Sequence, residues 1–192
     1  MPSVERSPEL HHRDRSRVVI IDVQDKLIAA IPEGAELVAH VRWLAYAARL
    51  CSVPMHFTEQ YPQGLGATVA TLHEFATNRP AKLRFSATES LGWPPALSEP
   101  EGRDQIVLAG VETHVCVLQT AFDLLALGYR VTIAVDATAC RRELDQQVAL
   151  QRLRDAGATV ATIEAIAFEW METAADPQFR ALSLLAKNRS GN

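Results

Sequence analysis

The stretch Arg17-Val-Val-Ile-Ile-Asp-Val23 is almost continuously β-branched and carries a single acidic residue, Asp22, near its end. Strands with one wet face alternate polar and apolar residues. A run with no alternation is the pattern of a strand covered on both faces, as in a parallel sheet flanked by helices. Four further strands are expected from short apolar runs over 53–58, 106–109, 130–135 and 158–163, and a fifth, less regular one over 82–87. Between them helical periodicity recurs. Leu37, Val41, Leu44 and Ala48 mark a helix over 36–50 that Pro54 terminates. Residues 115–127 end at Gly128 and 146–156 at Gly157, glycines in the place of a helix C′ residue. A short helix is expected over 69–76 and a closing one over 178–187. Strands alternating with helices imply an α/β fold of three layers, joined by right-handed crossovers.

The chain has 192 residues, 48% hydrophobic and 22% charged, which suits one globular domain with a substantial core. The expected division is a solvated N-terminal extension over 1–16, a domain over 17–187 and a short tail over 188–192. The formal net charge of −4 leaves no basic footprint, so nucleic acid is not an expected partner. No apolar run approaches the roughly 20 residues a bilayer span needs, and no membrane partner is expected. Met1 to Ser16 has no apolar core of the kind a secretory signal carries. Three cysteines, Cys51, Cys116 and Cys140, are too few for a disulfide framework. The expectation is a cytoplasmic chain with reduced thiols. His11 and His12 are expected to be solvated rather than metal-binding.

Ligands of open α/β sheets bind beyond the carboxyl ends of the strands. Asp22 stands at one such end. Gly110-Val-Glu-Thr-His-Val-Cys116 forms another, a strand-to-helix turn that sets a thiol in the first helical turn. A helix N-terminus favours a thiolate and can donate N–H groups to an oxyanion. An ordinary thiol is little ionised at neutral pH and gains from a base or cation nearby. Asp22 is a candidate to take its proton and Lys82 to balance the charges. Spacing alone leaves other readings open: Cys116 as a small core residue, Asp22 as a turn cap, Lys82 as a solvated lysine. Cys51 and Cys140 read as packing residues, and His56, His73 and His114 as structural or surface histidines.

Ile20-Ile-Asp-Val-Gln24 resembles the first strand of the isochorismatase-like hydrolases. Gly110-Val-Glu-Thr-His-Val-Cys-Val117 resembles their Gly-x-x-Thr-x-x-Cys turn, and Lys82, near Phe85-Ser-Ala87, falls where the family keeps its lysine. Thr58-Glu-Gln-Tyr-Pro-Gln-Gly-Leu-Gly66 and Cys116-Val-Leu-Gln-Thr-Ala121 are similar to the isochorismatase domain-containing branch. The resemblance spans about 17–187. It implies a six-stranded parallel, Rossmann-like sheet in an α/β/α sandwich and a catalytic triad of Asp22, Lys82 and Cys116. It also implies a cis peptide between Val111 and Glu112, and an oxyanion hole from the N–H groups of Glu112 and Cys116. The implied reaction is hydrolysis of a small amide or related acyl substrate through a thioester on Cys116.

Strand ends and the resemblance together nominate Gln24, Tyr61, Leu65, Trp93, Glu112 and Phe168 as substrate-binding residues. Family members commonly form homo-oligomers, and Phe122, Leu125, Trp170 and Met171 are candidates for either an interface or the core. No metal is expected, because Thr58-Glu-Gln-Tyr-Pro62 lacks the Asp-x-His arrangement of metal-dependent nicotinamidases. The presence of Cys116 also argues against vinyl-ether cleavage by a true isochorismatase. No cofactor is expected: 22–31 contains no glycine, whereas a dinucleotide site needs a glycine-rich turn after the first strand. A non-catalytic binding protein and a redox-sensing thiol are the rival classes.

Overall fold

The computed structural model of the chain describes residues 6–189. Six parallel strands form one sheet: β1 (Ser16–Ile21), β2 (Met55–Gln60), β3 (Ala81–Lys82), β4 (Gln105–Val111), β5 (Arg130–Ala139) and β6 (Thr159–Ala161). Their order is β3-β2-β1-β4-β5-β6. The chain winds outward from β1 to β3, then crosses back to β4 on the other side of β1. The reversal point therefore lies between β1 and β4, where open α/β sheets bind ligands.

The helices are α1 (Asp25–Ile28), α2 (Gly34–Leu50), α3 (Pro62–Leu65), α4 (Thr88–Leu91), α5 (Leu118–Ala126), α6 (Glu143–Asp155), α7 (Ile163–Met171) and α8 (Phe179–Arg189). The β-branched run of β1 feeds both faces of the sheet. Val18 and Ile20 pack with α2, α7 and α8, while Val19 and Ile21 pack with α5 and α6. That is the three-layer sandwich expected from the lack of alternation. No helix among the described residues is long and apolar enough to cross a membrane.

Several local expectations differ from the structure. Strand β3 has two residues, not six, and the chain then turns through 83–87 in irregular structure. The helix expected over 69–76 is a single 3₁₀ turn, Ala70–Leu72. The expected strand over 158–163 is shortened to β6, and Ile163 opens α7, with the Thr162 hydroxyl capping Ala165 N–H. Asn188 and Arg189 are the end of α8 rather than tail; residues 190–192 lie outside the described residues.

Within 6–16 the expected solvated extension is exposed at 7–10 and at Asp14, but its other residues are buried or half-buried. Ser16 is the first residue of β1, and the residues before it are tied to the domain. His11 is buried, its Nδ1 2.6 Å from Glu169 Oε2 and its Nε2 2.8 Å from Thr132 Oγ1. Arg13 donates to the Trp170 carbonyl and to Asp176. The Arg13 bond to Trp170 satisfies one of the last backbone carbonyls of α7, where a helix lacks partners of its own. The expected extension over 1–5 lies outside the described residues.

Trp170 and Met171, candidates for an interface or the core, are core residues at 1% exposure each. Phe122 and Leu125 are half-buried against the α5/α6 side.

Candidate active site

Glycine 110 sets the spacing at the reversal point. It pairs with Ile21 across β1 and β4 and adopts φ +115°. A Cβ there would stand 2.0 Å from the Ile21 carbonyl oxygen. Only glycine permits this approach, which brings the residue after β1 beside the turn after β4. The residue after β1 is Asp22, itself in the left-handed region at φ 55°.

Asp22 is sealed from water and fully engaged. Its Oδ1 accepts from the Thr58 hydroxyl at 2.9 Å and its Oδ2 from Lys82 Nζ at 2.7 Å. Lys82 is 2% exposed at its side chain. Besides Asp22, its ammonium donates to Gln60 Oε1 at 2.7 Å and to the Phe85 carbonyl at 2.9 Å, with the Arg84 carbonyl further off at 3.4 Å. All three ammonium protons therefore have acceptors. The irregular path of 83–87 now has a cause: it curls two carbonyls back onto the lysine of a truncated edge strand.

Cys116 completes the group. Residues Thr113–Val117 form a π-type turn that runs into α5, with Val117 N–H reaching five residues back to the Glu112 carbonyl. Such turns widen a helix locally and are frequent at functional sites. The Val111–Glu112 peptide is cis. The Cys116 thiol faces both Asp22 and Lys82, and it is 6% exposed as a residue. Thr120 ties the two halves of the site together. Its hydroxyl donates to the Cys116 carbonyl at 2.7 Å and accepts from Ala87 N–H at 2.9 Å.

The electrostatics differ from the expectation of a thiolate at a helix end. Burial pushes the Cys116 thiol up to about 12, the Asp22 carboxylate adds to the rise, and Lys82 only partly opposes it. Burial likewise raises Asp22, against the pull of Lys82 and of the hydrogen bonds from Lys82, Cys116 and Thr58. Desolvation outweighs the helix end here. Both effects favour the neutral thiol over a free thiolate in the buried group. Moving the proton from Cys116 to Asp22 leaves the net charge of the buried group unchanged, so desolvation penalises that transfer less than it penalises loss of the proton to water.

The nominated substrate residues fall into separate groups. Tyr61 (half exposed) directly follows β2 and Leu65 ends α3 just beyond it, at the carboxyl edge of the sheet, and Glu112 directly follows β4. Gln24 is spent on structure. Its amide donates to the carbonyls of Gln60 and Gly66 and accepts from Gln60 N–H, so it brackets this loop instead of facing a ligand. Trp93 is at the wrong end of the sheet. It packs on His56, Tyr129 and Arg17, and Arg17 precedes Asp22 by five residues of extended chain, roughly 16 Å. Phe168 packs on Phe179 and borders a shallow groove with Asp136, Thr162 and Arg189, a group that includes none of the triad.

Sequence reading missed Thr58, Gln60 and Thr120. Thr58 and Gln60 alternate on β2 with their side chains aimed at Asp22 and Lys82, and only the strand register reveals this. Among the described residues no group of three or more His, Cys, Asp or Glu is placed to hold a metal ion. His73 Nε2 is 2.8 Å from the Thr68 carbonyl oxygen.

Fold and site together define a class: a three-layer α/β/α protein with a buried Asp–Lys–Cys group at its sheet reversal. The isochorismatase domain pattern matches residues 16–165, and the chain belongs to that family of isochorismatase-like hydrolases. It is similar to mouse isochorismatase domain-containing protein 2A, with 36% identity over 177 residues covering 91% of this chain and 84% of that protein. Among solved structures it is similar to a protein described as MAR1 ribonuclease from Caenorhabditis elegans, with 36% identity, TM-score 0.82, and 92% and 91% of the two chains covered. The Escherichia coli YcaC product, described as an octameric hydrolase of unknown specificity, shares the fold at 22% identity and TM-score 0.77, over 96% of this chain and 99% of that one.

Proposed function

We propose that this protein hydrolyses a small amide or related acyl substrate through a thioester on Cys116. The observation that carries the reading is the Lys82–Asp22 pair, 2.7 Å apart and buried, with the Cys116 thiol facing it. Two charges taken out of water are costly, and their retention beside a thiol suits chemistry better than packing.

In this mechanism Asp22 takes the thiol proton as sulfur bonds to the substrate carbonyl carbon. The N–H groups of Glu112 and Cys116 receive the developing oxyanion. As the tetrahedral adduct collapses, the C–N bond breaks and the leaving amine takes the proton from Asp22. Water then attacks the thioester, giving its proton to Asp22, which returns it to the departing sulfur. Lys82 has no proton to spare for substrate. Its role is to hold Asp22 and to keep one positive charge beside the site while the negative charge passes between carboxylate and sulfur. Tyr61, Leu65 and Glu112 form the substrate rim, and the enzyme works as a cytoplasmic homo-oligomer without a metal or cofactor.

An activity on RNA, which the name of the nematode relative carries, fits this site less well. The buried lysine is already neutralised, and the net charge of −4 offers little attraction to phosphate. The test is a panel of small amides with intact-mass detection of acyl-enzyme. Turnover with a mass adduct on Cys116, lost in Cys116→Ala, supports the proposal. Undiminished turnover by Cys116→Ala contradicts it.

A further inference from the structure

The N–H groups of Thr113 and His114 open the turn that carries Cys116, yet they are directed at a different sulfur, that of Cys140. Cys140 directly follows β5 and stands beside the start of the turn because Val111 pairs with Ala139 across β4 and β5. These N–H groups are the first of their helical segment, where no preceding carbonyl is available to them. The arrangement expected of Cys116, a sulfur met by the free donors of a helix start, is realised at Cys140.

A side chain adds to it. His114 Nδ1 lies 3.2 Å from Cys140 Sγ. Glu112 Oε2 stands 4.0 Å from the same nitrogen, and Asp145 Oδ2, on α6, stands 3.9 Å from Nε2. Glu112 shares its charge with Arg141, whereas Asp145 is left to the ring. A proton that passes to His114 therefore meets a carboxylate near each ring nitrogen. The Cys140 residue is 8% exposed and the His114 side chain 26%, which admits a small reagent and disfavours a bulky one.

The Thr113 hydroxyl points to what arrives there. Thr113 is wholly buried, its Oγ1 has no hydrogen-bond partner among the described residues, and it faces the Cys140 sulfur. A buried hydroxyl without a partner is costly, and an oxygen joined to this sulfur would supply one. Burial raises the Cys140 thiol and Glu112 adds to the rise, while the Thr113 and His114 donors act against it. Handing the proton to His114 keeps the net charge of the group unchanged, which desolvation penalises less than losing it to water.

We propose that Cys140 is a modification site, a thiol that a small peroxide oxidises to sulfenic acid. His114 Nδ1 takes the thiol proton as sulfur attacks one peroxide oxygen. The S–O bond forms and the O–O bond breaks. The hydroxide that leaves takes the proton from His114 and departs as water. Sulfur is oxidised by two electrons and the peroxide is reduced. The Thr113 hydroxyl donates to the new oxygen, and Asp145 is the positioning residue that orients the ring. Nothing in this chemistry requires Asp22, Lys82 or Cys116, so it stands apart from the hydrolase reading above.

The test exposes the wild-type protein to hydrogen peroxide for timed intervals and then unfolds it. Dimedone caps sulfenic acid and, in parallel samples, N-ethylmaleimide caps the remaining thiols, with each cysteine resolved by peptide mass. Cys140 is expected to gain the dimedone adduct at least about tenfold faster than Cys51, a buried thiol with no histidine hydrogen-bonded to it. His114→Phe is expected to slow Cys140 by about tenfold and leave Cys51 unchanged. Asp145→Asn, at a partly exposed position on α6, is expected to slow it by a smaller factor. Oxidation of Cys140 no faster than that of Cys51, or at a rate unchanged in both variants, would overturn the proposal.

Discussion

Lys82 Nζ lies 2.7 Å from Asp22 Oδ2, and the two side chains are 2% and 0% exposed. The pair joins the end of β1 to the edge strand β3 across the end of β2, where Thr58 and Gln60 hold one partner each. Removing one member of a buried pair leaves the other charge uncompensated. Such losses are typically about 3–5 kcal/mol. Lys82→Met, close in volume, is expected to destabilise the fold by that order, measured as a fall in the urea midpoint at constant slope. The double variant Lys82→Met/Asp22→Leu, which buries no charge, is expected to recover part of the loss.

Gly110→Ala is expected to be among the most damaging single-methyl changes in the chain. The new Cβ would stand 2.0 Å from the Ile21 carbonyl oxygen, at a φ of +115° that L-residues avoid. Relief requires β1 and β4 to separate at the reversal point, which also parts Asp22 from Cys116. Expression with a sharply lowered melting temperature is the expected outcome. Gly157→Ala is the control: its φ of +96° carries the same backbone penalty, but no atom lies within 4 Å of the added carbon.

Thr120→Val removes the hydroxyl that accepts from Ala87 N–H while nearly conserving volume. A buried donor left unsatisfied costs about 1–3 kcal/mol. Thermal denaturation should register a loss of that size. Amide exchange should quicken at Ala87 more than in the sheet core, because the segment that supplies the Phe85 carbonyl to Lys82 loses its anchor.

His56 supplies a pH dependence remote from the site. Burial lowers it to about 4, from 6.5 when unfolded. The unfolded chain takes up a proton below 6.5 that the folded chain refuses until about 4, so stability falls as pH drops through that window. The full shift corresponds to about 3 kcal/mol, an upper figure for a group not wholly buried. His56→Gln should flatten the acid limb of the stability curve between pH 6.5 and 4.

The residues that carry their information locally were readable. β1 reads as doubly covered because Val18 to Ile21 are all apolar up to Asp22, and the turn from Gly110 to Cys116 stands out as a thiol entering a helix. Gln24 and Trp93 lie apart from the thiol for another reason. Their chain positions beside motifs say nothing about register, which aims Gln24 at the loop after β2 and puts Trp93 at the amino end of the strands. β3 was read too long because apolar residues such as Leu83 and Phe85 mimic a strand, whereas they are exposed while their backbone serves Lys82. The protonation state of Cys116 was not legible at all. It depends on burial depth, which outweighs the helix end and is a property of the assembled layers.

The most direct test of the central claim is the iodoacetamide labelling rate of Cys116 in wild-type and Asp22→Asn protein at pH 7.5. Cys51 and Cys140 serve as buried controls in the same digest. Removing a negative charge that raises the thiol should, by electrostatics alone, make Cys116 easier to ionise and faster to label. If Asp22 is instead the base that accepts the proton during attack, Asp22→Asn slows Cys116 by at least about tenfold and leaves Cys51 and Cys140 unchanged. The account predicts the slower rate; an equal or faster one would contradict it.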